Sequence, residues 1–167
     1  TWQGDPNQLP PDARAALALA RSAGVTVADT PPVTCDVVVD AVWGVGLQGN
    51  RPWPGHLHSW LQRVNQGTAP VLAVDVPSGL CSDTGAWLGP GDTRPGRGAP
   101  RHTLTLLTAK AGLFTGEGRE AAGDTWLDTL GVDPAQATPT AWLNTATHTD
   151  LAHRGHRHNA HKGSHGD

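Results

Sequence analysis

The stretch that decides the fold is Val71-Leu-Ala-Val-Asp-Val-Pro-Ser-Gly79, where an apolar run meets a sharp turn. Residues 71–76 have the pattern of a β-strand buried on both faces, as the strands of parallel sheets are. Pro77 has a restricted φ and Gly79 tolerates a left-handed backbone, so the chain is expected to leave the sheet here. Further apolar runs predict more strands, at residues 35–42, 102–108 and 125–130.

Helical segments alternate with these strands. Pro10-Pro11-Asp12 is a typical helix start, and the Ala/Leu-rich run after it ends at Gly24. Residues 54–67 place their apolar side chains on one helical face. A short strand is also expected at residues 25–28. Strands separated by helices or long crossovers predict an α/β domain with a mostly parallel sheet.

The composition argues against several classes of protein. The 167 residues suit one domain, and a net charge of −3 disfavours nucleic acid or an anionic membrane as a partner. No apolar run is long enough for a transmembrane helix, and no basic-then-apolar leader opens the chain. Cys35 and Cys81 are the only cysteines. Without a leader we expect both to be reduced, in a cytoplasmic protein.

We expect the sequence to be a piece of a longer protein. It contains no Met, so Thr1 is not a translational start, and six of its nine His lie between His148 and His165. The alternating pattern decays into a polar tail after Pro139. Residues 1–139 are therefore predicted to form one domain, and residues 140–167 a linker that leads into another.

The first loop with chemical potential follows the strand at 35–42. Its glycines let the backbone approach a ligand closely and expose N–H groups that suit phosphate. Asp40 stands at an apolar strand end, where an unpaired carboxylate is costly. The structural alternatives stay open: the loop is equally explained as a tight turn, and Asp40 as a cap or a surface-facing residue.

Two more loops follow strand ends, where parallel α/β sheets bind their ligands. Asp75 closes the second strand and Ser78 is held in its turn. Ser78 is not predicted to be a nucleophile, because Val76 occupies the place of the first glycine in a G-x-S-x-G elbow. Lys110, after the third strand, offers a cation or an acid/base group. A solvated loop lysine is the alternative.

Taken together, these loops resemble the NAD(P)H-hydrate epimerase family, also called the YjeF N-terminal domain. The resemblance runs from about residue 10 to residue 133 and lies in DVVVDAVWGVGLQGNRPWPG (36–55), PVLAVDVPSGLCSDTG (70–85), HTLTLLTAKAGLFTGEG (102–118) and GDTWLDTLGV (123–132). It implies a Rossmann-like three-layer sandwich. It also implies an isomerase that interconverts the R and S epimers of NADHX and NADPHX, the hydrated forms of the reduced nicotinamide cofactors, in metabolite repair.

The resemblance also implies roles for individual residues. A potassium ion would be held by Asp40 and Ser78, and its preference for oxygen donors agrees with a carboxylate and a hydroxyl. Asp75 and Lys110 would move a proton at the hydrated ring carbon. The residues expected to bind the substrate are Gly44, Val45, Gly46, Leu47, Gln48, Gly49, Asn50 and Asp75.

The sequence departs from the family pattern in several places. An earlier Asn-Asn-Gly-Gly-Asp loop, which carries another metal ligand and phosphate contacts in the family, is absent. We therefore expect the fragment to lack its first strand–loop–helix unit and full epimerase activity. Trp43 and Leu106 replace other apolar residues, and Arg101 stands where an acidic residue often occurs.

The tail has two interpretations. Residues 157–167 (RHNAHKGSHGD) resemble the opening of the ADP- or ATP-dependent NAD(P)H-hydrate dehydratase domain, a lyase that many bacterial proteins fuse to the epimerase. ADP or ATP would serve only that missing domain, and the parent would be a bifunctional repair enzyme. The alternative is a His tract that binds metal opportunistically.

Two other functions compete with the epimerase prediction. One is a nucleotide-binding α/β module that does not catalyse turnover. The other is a dinucleotide-dependent oxidoreductase, which is disfavoured because no strand runs into a complete G-x-G-x-x-G. A homo-oligomer, the strand order and the preference between NADHX and NADPHX are left open.

Overall fold

The computed structural model describes residues 6–47, 49, 53–96, 98–133 and 138–143. The chain divides into two compact units, Thr1–Pro134 and Ala135–Asp167, and every described helix and strand belongs to the first. In chain order these are α1 (Pro11–Ser22), β1 (Val38–Asp40), α2 (Gly55–Gln66), β2 (Val71–Val74), β3 (Arg101–Leu106), α3 (Gly118–Ala122) and β4 (Asp124–Asp128). Short 3-10 turns lie at Pro6–Gln8, Gly91–Thr93 and Ala111–Leu113. The domain boundary predicted at residue 139 stays a prediction.

The strands form one four-stranded sheet in the order β1-β2-β3-β4, and all three neighbouring pairs are parallel. The predicted α/β class and parallel sheet are confirmed, as are the four strands at 35–42, 71–76, 102–108 and 125–130, with shorter or shifted bounds. The strand predicted at 25–28 is wrong. Val25 is 55% exposed, and a short apolar segment without a neighbouring strand has neither a ladder nor a core to stabilise it.

The helices contribute unequally to the core. α2 buries Leu57, Leu61 and Asn65, while α1 buries none of its side chains. No helix was predicted at the position of α3, because glycines bound its five residues. It is stabilised by burial of Ala121 and Ala122 and not by helix propensity.

The two faces of the sheet differ in how far their side chains are buried. On one face Val71, Ala73, Thr103 and Thr105 are buried, and helix α3 packs against β3 there. On the opposite face Val39 is 59% exposed and Trp126 is 53% exposed. Within the described residues, the core of the domain therefore lies on one side of the sheet.

The long connection between β2 and β3 contributes core residues of its own. Val76, Leu80 and Trp87 pack with Leu113 and the α3 alanines into one apolar cluster. The indole Nε1 of Trp87 donates a hydrogen bond to the Pro90 carbonyl at 3.2 Å. This connection supports the turn that follows β2 and holds it against the 3-10 turn Ala111–Leu113 and helix α3.

Two further observations on the described residues concern membrane helices and cysteines. None of the helices there is long and apolar enough to cross a bilayer. Cys35 and Cys81 are both free thiols.

Gly123 provides a test of how closely α3 is fitted to the sheet. Its φ is +63°, and a Cβ at this position would lie 1.9 Å from the carbonyl oxygen of Arg101. We expect Gly123→Ala to lower the free energy of unfolding by about 3 kcal/mol, through backbone strain and overpacking. Gly55→Ala is the matched control, since a Cβ there meets no atom within 4 Å. The control should be neutral or stabilise by up to about 1 kcal/mol. Urea denaturation measures both, and equal effects would contradict the assigned packing.

Candidate active site

The first part of the site joins the ends of β1 and β2. The Asp40 carboxylate is 5% exposed and accepts hydrogen bonds from the Ser78 backbone N–H at 2.8 Å and from Ser78 Oγ at 2.6 Å. Ser78 is itself 1% exposed. The alternative of a surface-facing Asp40 is therefore wrong. Because the Ser78 hydroxyl points its proton at Asp40 and is buried, it is also not placed as a nucleophile.

The Gly-rich loop begins against the same pair. The backbone N–H of Trp43 donates to Ser78 Oγ at 3.0 Å, and the Trp43 carbonyl lies 3.4 Å from that oxygen. These contacts bring backbone oxygen, hydroxyl and carboxylate together within a few ångströms. The contact of Trp43 with Ser78 was not predictable from the sequence, because it is made by main-chain atoms that every residue type carries.

Asp75 forms the second part of the site. Its φ is +72°, an unusual value that aspartate tolerates better than most residues. The backbone N–H of Asp75 donates to the Leu104 carbonyl at 2.7 Å, which continues the ladder from β2 to β3 at the turn. The left-handed residue thus redirects the chain while it stays attached to the sheet.

Lys110 pairs with the Asp75 side chain. Its ammonium donates to Asp75 Oδ1 and, at 2.5 Å, to the Leu106 carbonyl. The Leu106 N–H also donates to Asp75 Oδ1, at 3.3 Å. The Lys110 side chain is 14% exposed and the Asp75 side chain is 20% exposed. The pair is therefore largely shielded from solvent but still reachable. The alternative of a freely solvated Lys110 is wrong.

Gly44 brings these two parts together. A Cβ at this position would lie 2.9 Å from Asp75 Oδ2, so a glycine is required for the loop to pass over that oxygen. Asp75 Oδ1 is occupied by Lys110 and Leu106, whereas Oδ2 faces the Gly-rich loop. The three loops predicted from the sequence therefore meet at the carboxyl ends of β1, β2 and β3.

The other loop residues predicted to bind substrate lie farther out. Val45 is 58% exposed, and a Cβ at Gly46 would meet no atom within 4 Å. Leu47 is partly buried, and a Cβ on Gly49 would lie 3.2 Å from Leu88. Gln48 and Asn50 lie outside the described residues, as do the histidines of the tail. The binding roles of all these residues stay predictions.

Burial dominates the electrostatics of Asp40. Removal from water raises the pKa of its carboxyl, while the hydrogen bonds from Ser78 and, more weakly, the charge of Arg101 act in the opposite direction. Within the described part of the chain, no group of three or more His, Cys, Asp or Glu side chains forms a metal cluster. Any cation here would depend on oxygen atoms from one carboxylate, a hydroxyl and the main chain.

A cavity of about 630 Å³ adjoins Asp40. It is bounded by residues 31–42 and by α2, and Asp40 lines it. Asp75, Ser78 and Lys110 do not. The two residues predicted to be catalytic, Asp75 and Lys110, therefore lie at the strand-end loops and do not line this cavity.

A parallel α/β sheet with polar loops at the carboxyl ends of its strands defines the class of protein. Comparison with known families narrows it: residues 2–112 match the family described as YjeF-related protein N-terminus, and the chain belongs to that family. The resemblance deduced from the loops is confirmed.

Curated relatives agree with this assignment. The chain is 39% identical over 127 residues to the NAD(P)H-hydrate epimerase of Achromobacter xylosoxidans, covering 74% of the chain and 57% of that protein. It is 38% identical over 137 residues to the bifunctional NAD(P)H-hydrate repair enzyme Nnr of Vibrio cholerae, covering 79% of the chain and 26% of that enzyme. The Nnr of Escherichia coli is 36% identical over 138 residues, 81% of the chain and 25% of that enzyme. The chain therefore spans between a quarter and somewhat more than half of these relatives.

The raised pKa of Asp40 predicts a specific pH dependence. A carboxyl whose folded pKa exceeds its unfolded value of about 3.9 is protonated more readily in the native state. Its stabilising contribution is complete below about pH 4 and is lost as pH rises through the folded pKa. The difference in unfolding free energy between the unmodified protein and Asp40→Asn should fall over this window, by up to about 1.4 kcal/mol per pH unit.

Urea denaturation from pH 4 to pH 8 in potassium-free buffer measures this difference. Ser78→Ala removes the hydroxyl hydrogen bond that lowers the pKa of Asp40, so the loss of stability should extend to higher pH in that variant. A difference that does not change between pH 4 and pH 7 would contradict the assigned burial of the charge.

Proposed function

We propose that the full-length gene product that contains this chain has the epimerase activity for which its relatives are named, interconverting the R and S epimers of hydrated NADH and NADPH. The observation that carries the proposal is the Asp75–Lys110 pair, held at the strand ends with Asp75 Oδ2 turned toward the glycine-bounded loop. Such a pair supplies a base and an acid within reach of one bound ring.

The chemistry requires one bond of the hydrated ring carbon to break and to re-form on the opposite face, with proton transfer at oxygen or nitrogen. The hydrated ring carbon carries a hydroxyl and is bonded to the ring nitrogen, so there are two balanced routes. In the first, Asp75 Oδ2 takes the hydroxyl proton and Lys110 protonates the ring nitrogen as the carbon–nitrogen bond breaks. Rotation and reclosure, with both protons returned, then invert the centre. In the second, Lys110 protonates the departing hydroxyl, water adds to the opposite face while Asp75 takes its proton, and Asp75 returns that proton to Lys110.

The positions of the charged groups favour Asp75 as the base and Lys110 as the acid. Lys110 is held by Asp75 Oδ1 and the Leu106 carbonyl, which keeps it beside the carboxylate without occupying Oδ2. Gly44 leaves space above that oxygen, and the Gly-rich loop would hold the phosphates through its N–H groups. Partial burial excludes most water, which strengthens both interactions.

A potassium ion is part of the same proposal. The buried Asp40 carboxylate, Ser78 Oγ and the Trp43 carbonyl form an all-oxygen donor set, and the carboxylate has no cationic side chain in contact with it among the described residues. This chemistry fits a hard monovalent cation. When bound, the ion would lie against the Asp40 carboxylate and orient oxygen atoms of the substrate.

We further propose that the full-length gene product is bifunctional and cytoplasmic. The Vibrio cholerae and Escherichia coli relatives are named as bifunctional repair enzymes, and residues 157–167 resemble the start of an ADP- or ATP-dependent dehydratase domain. Dehydration of NADHX in the presence of ADP, measured with the full-length gene product, tests the second activity.

The decisive assay uses purified R-NADHX. The full-length gene product that contains this sequence should equilibrate it with the S form, followed by chromatography. Asp75→Asn and Lys110→Met should each slow this at least about 100-fold, since acid–base groups contribute about 10²–10⁴-fold. Asp128→Asn, an exposed carboxylate at the end of β4, is the matched control and should change the rate less than twofold. Native rates in Asp75→Asn would refute its role, and binding without turnover in the unmodified protein would favour the nucleotide-binding module.

The potassium site has its own test. Potassium at ten times its Kd should stabilise the protein by about 1.4 kcal/mol relative to choline at equal ionic strength. Asp40→Asn and Ser78→Ala should abolish that increment while Asp75→Asn retains it. Thermal unfolding measures the effect, and a potassium response that survives Asp40→Asn would contradict the assigned ligands.

A further inference from the structure

Two buried charges of opposite sign lie in the domain. Among the described residues, the charged side chains that are buried are Asp40, at 5% exposed, and Arg101, at 8%. The sheet register aligns Asp40 with Ala73 and then Thr103, and Arg101 precedes Thr103 by two residues on β3. Because side chains alternate along a strand, both charges project from the same face of the sheet.

Neither charge is neutralised by a contact. Arg101 Nε donates to the Ala121 carbonyl and Nη2 donates to the Asn65 side-chain oxygen, both at 2.9 Å and both neutral partners. The remaining Arg101 Nη1 is buried without a hydrogen-bond partner. The side-chain hydrogen bonds of Asp40 come from Ser78, which is also neutral. Within the described part of the chain, each is therefore the other's only buried countercharge.

An isolated buried charge is strongly unfavourable, and solvent does little to screen two charges on the same covered face. Asp40 and Arg101 therefore attract across the core without touching. Exposed charges at the surface cannot replace this interaction, since water and salt screen them. The buried face is consequently neutral as a whole before any ion is bound.

We propose that Arg101 is a positioning residue that serves as the internal countercharge of Asp40 and so sets the net charge that the Asp40–Ser78 pair presents to a cation. The second half of this inference rests on the proposed function, whereas the charge pairing does not. The Arg101 charge repels a bound cation in proportion to that cation's charge, so it opposes a divalent ion about twice as strongly as a monovalent ion. Arg101 thereby favours monovalent over divalent cations at this site.

A double-mutant cycle tests the pairing in the full-length gene product. Arg101→Met, Asp40→Asn and the double variant are compared by native-state hydrogen exchange of peptides that cover β2 and β3. Removing both charges should be less damaging than the separate changes imply. The opening equilibrium constant of the double variant should be about tenfold smaller than the value obtained by multiplying the effects of the two single changes. This difference is equivalent to about 1.4 kcal/mol.

Matched variants exclude a merely structural role for Arg101. Arg101→Lys keeps the charge and should open much less than Arg101→Met. The Asp124 carboxylate, at the start of neighbouring β4, is 78% exposed. The effects of Asp124→Asn and Arg101→Met on the opening constant should therefore multiply to within twofold. If Arg101→Met does not fold, Arg101→Lys and Arg101→Gln are compared with and without Asp40→Asn. The proposal is overturned if the opening constant of the double variant lies within twofold of the product of the single effects. It is also overturned if Arg101→Lys opens as much as the neutral variants do.

A second measurement separates this inference from the proposed potassium site. In the unmodified protein and in Arg101→Lys, potassium should raise the unfolding temperature and calcium at equal ionic strength should not. In Arg101→Met, calcium should become stabilising. Strong coupling with no potassium response would refute the potassium site and leave the charge pairing intact. A potassium response without coupling would overturn the role assigned to Arg101, as would calcium selectivity that does not change in Arg101→Met.

Discussion

The hydrogen bonds between the buried Asp40 carboxylate and Ser78 are the interaction on which the organisation of this domain depends. A carboxylate in the interior must be partnered, and both the hydroxyl and the backbone N–H of Ser78 meet that requirement. Because Ser78 lies in the turn after β2, satisfying Asp40 ties that turn to the end of β1. The Gly-rich loop then begins against the same hydroxyl through Trp43.

Given this link, the placement of the Asp75–Lys110 pair follows from the turn itself. Asp75 adopts a left-handed backbone between the end of β2 and the buried Pro77-Ser78 segment. Its side chain is thereby turned toward β3, where Leu106 and Lys110 hold it. The buried Asp40–Ser78 pair and the reachable Asp75–Lys110 pair thus lie side by side. In the proposed function the first pair would hold an ion and the second pair would exchange protons.

Much of the site was predictable because strand ends in parallel sheets converge. The apolar runs located β1, β2 and β3, and the polar residues just beyond them, Asp40, Asp75 and Lys110, were expected in one region. Main-chain contributions from Trp43 and Leu106 were not predictable, since every residue carries the same amide. The importance of Arg101 was also hidden: the sequence shows an arginine at a strand start, but only the register shows that it shares a face with Asp40.

The sequence by itself determined the alternation of strands and helices, the positions of the turns and the family to which the chain belongs. Those features depend on local periodicity, on the backbone limits of Pro and Gly, and on residue patterns within single segments. Tertiary structure alone decided that Asp40 is buried, that Ser78 rather than a cationic side chain satisfies it, and that Lys110 reaches Asp75. These contacts join residues more than thirty positions apart, so they exist only once the parallel sheet has brought the strand ends together.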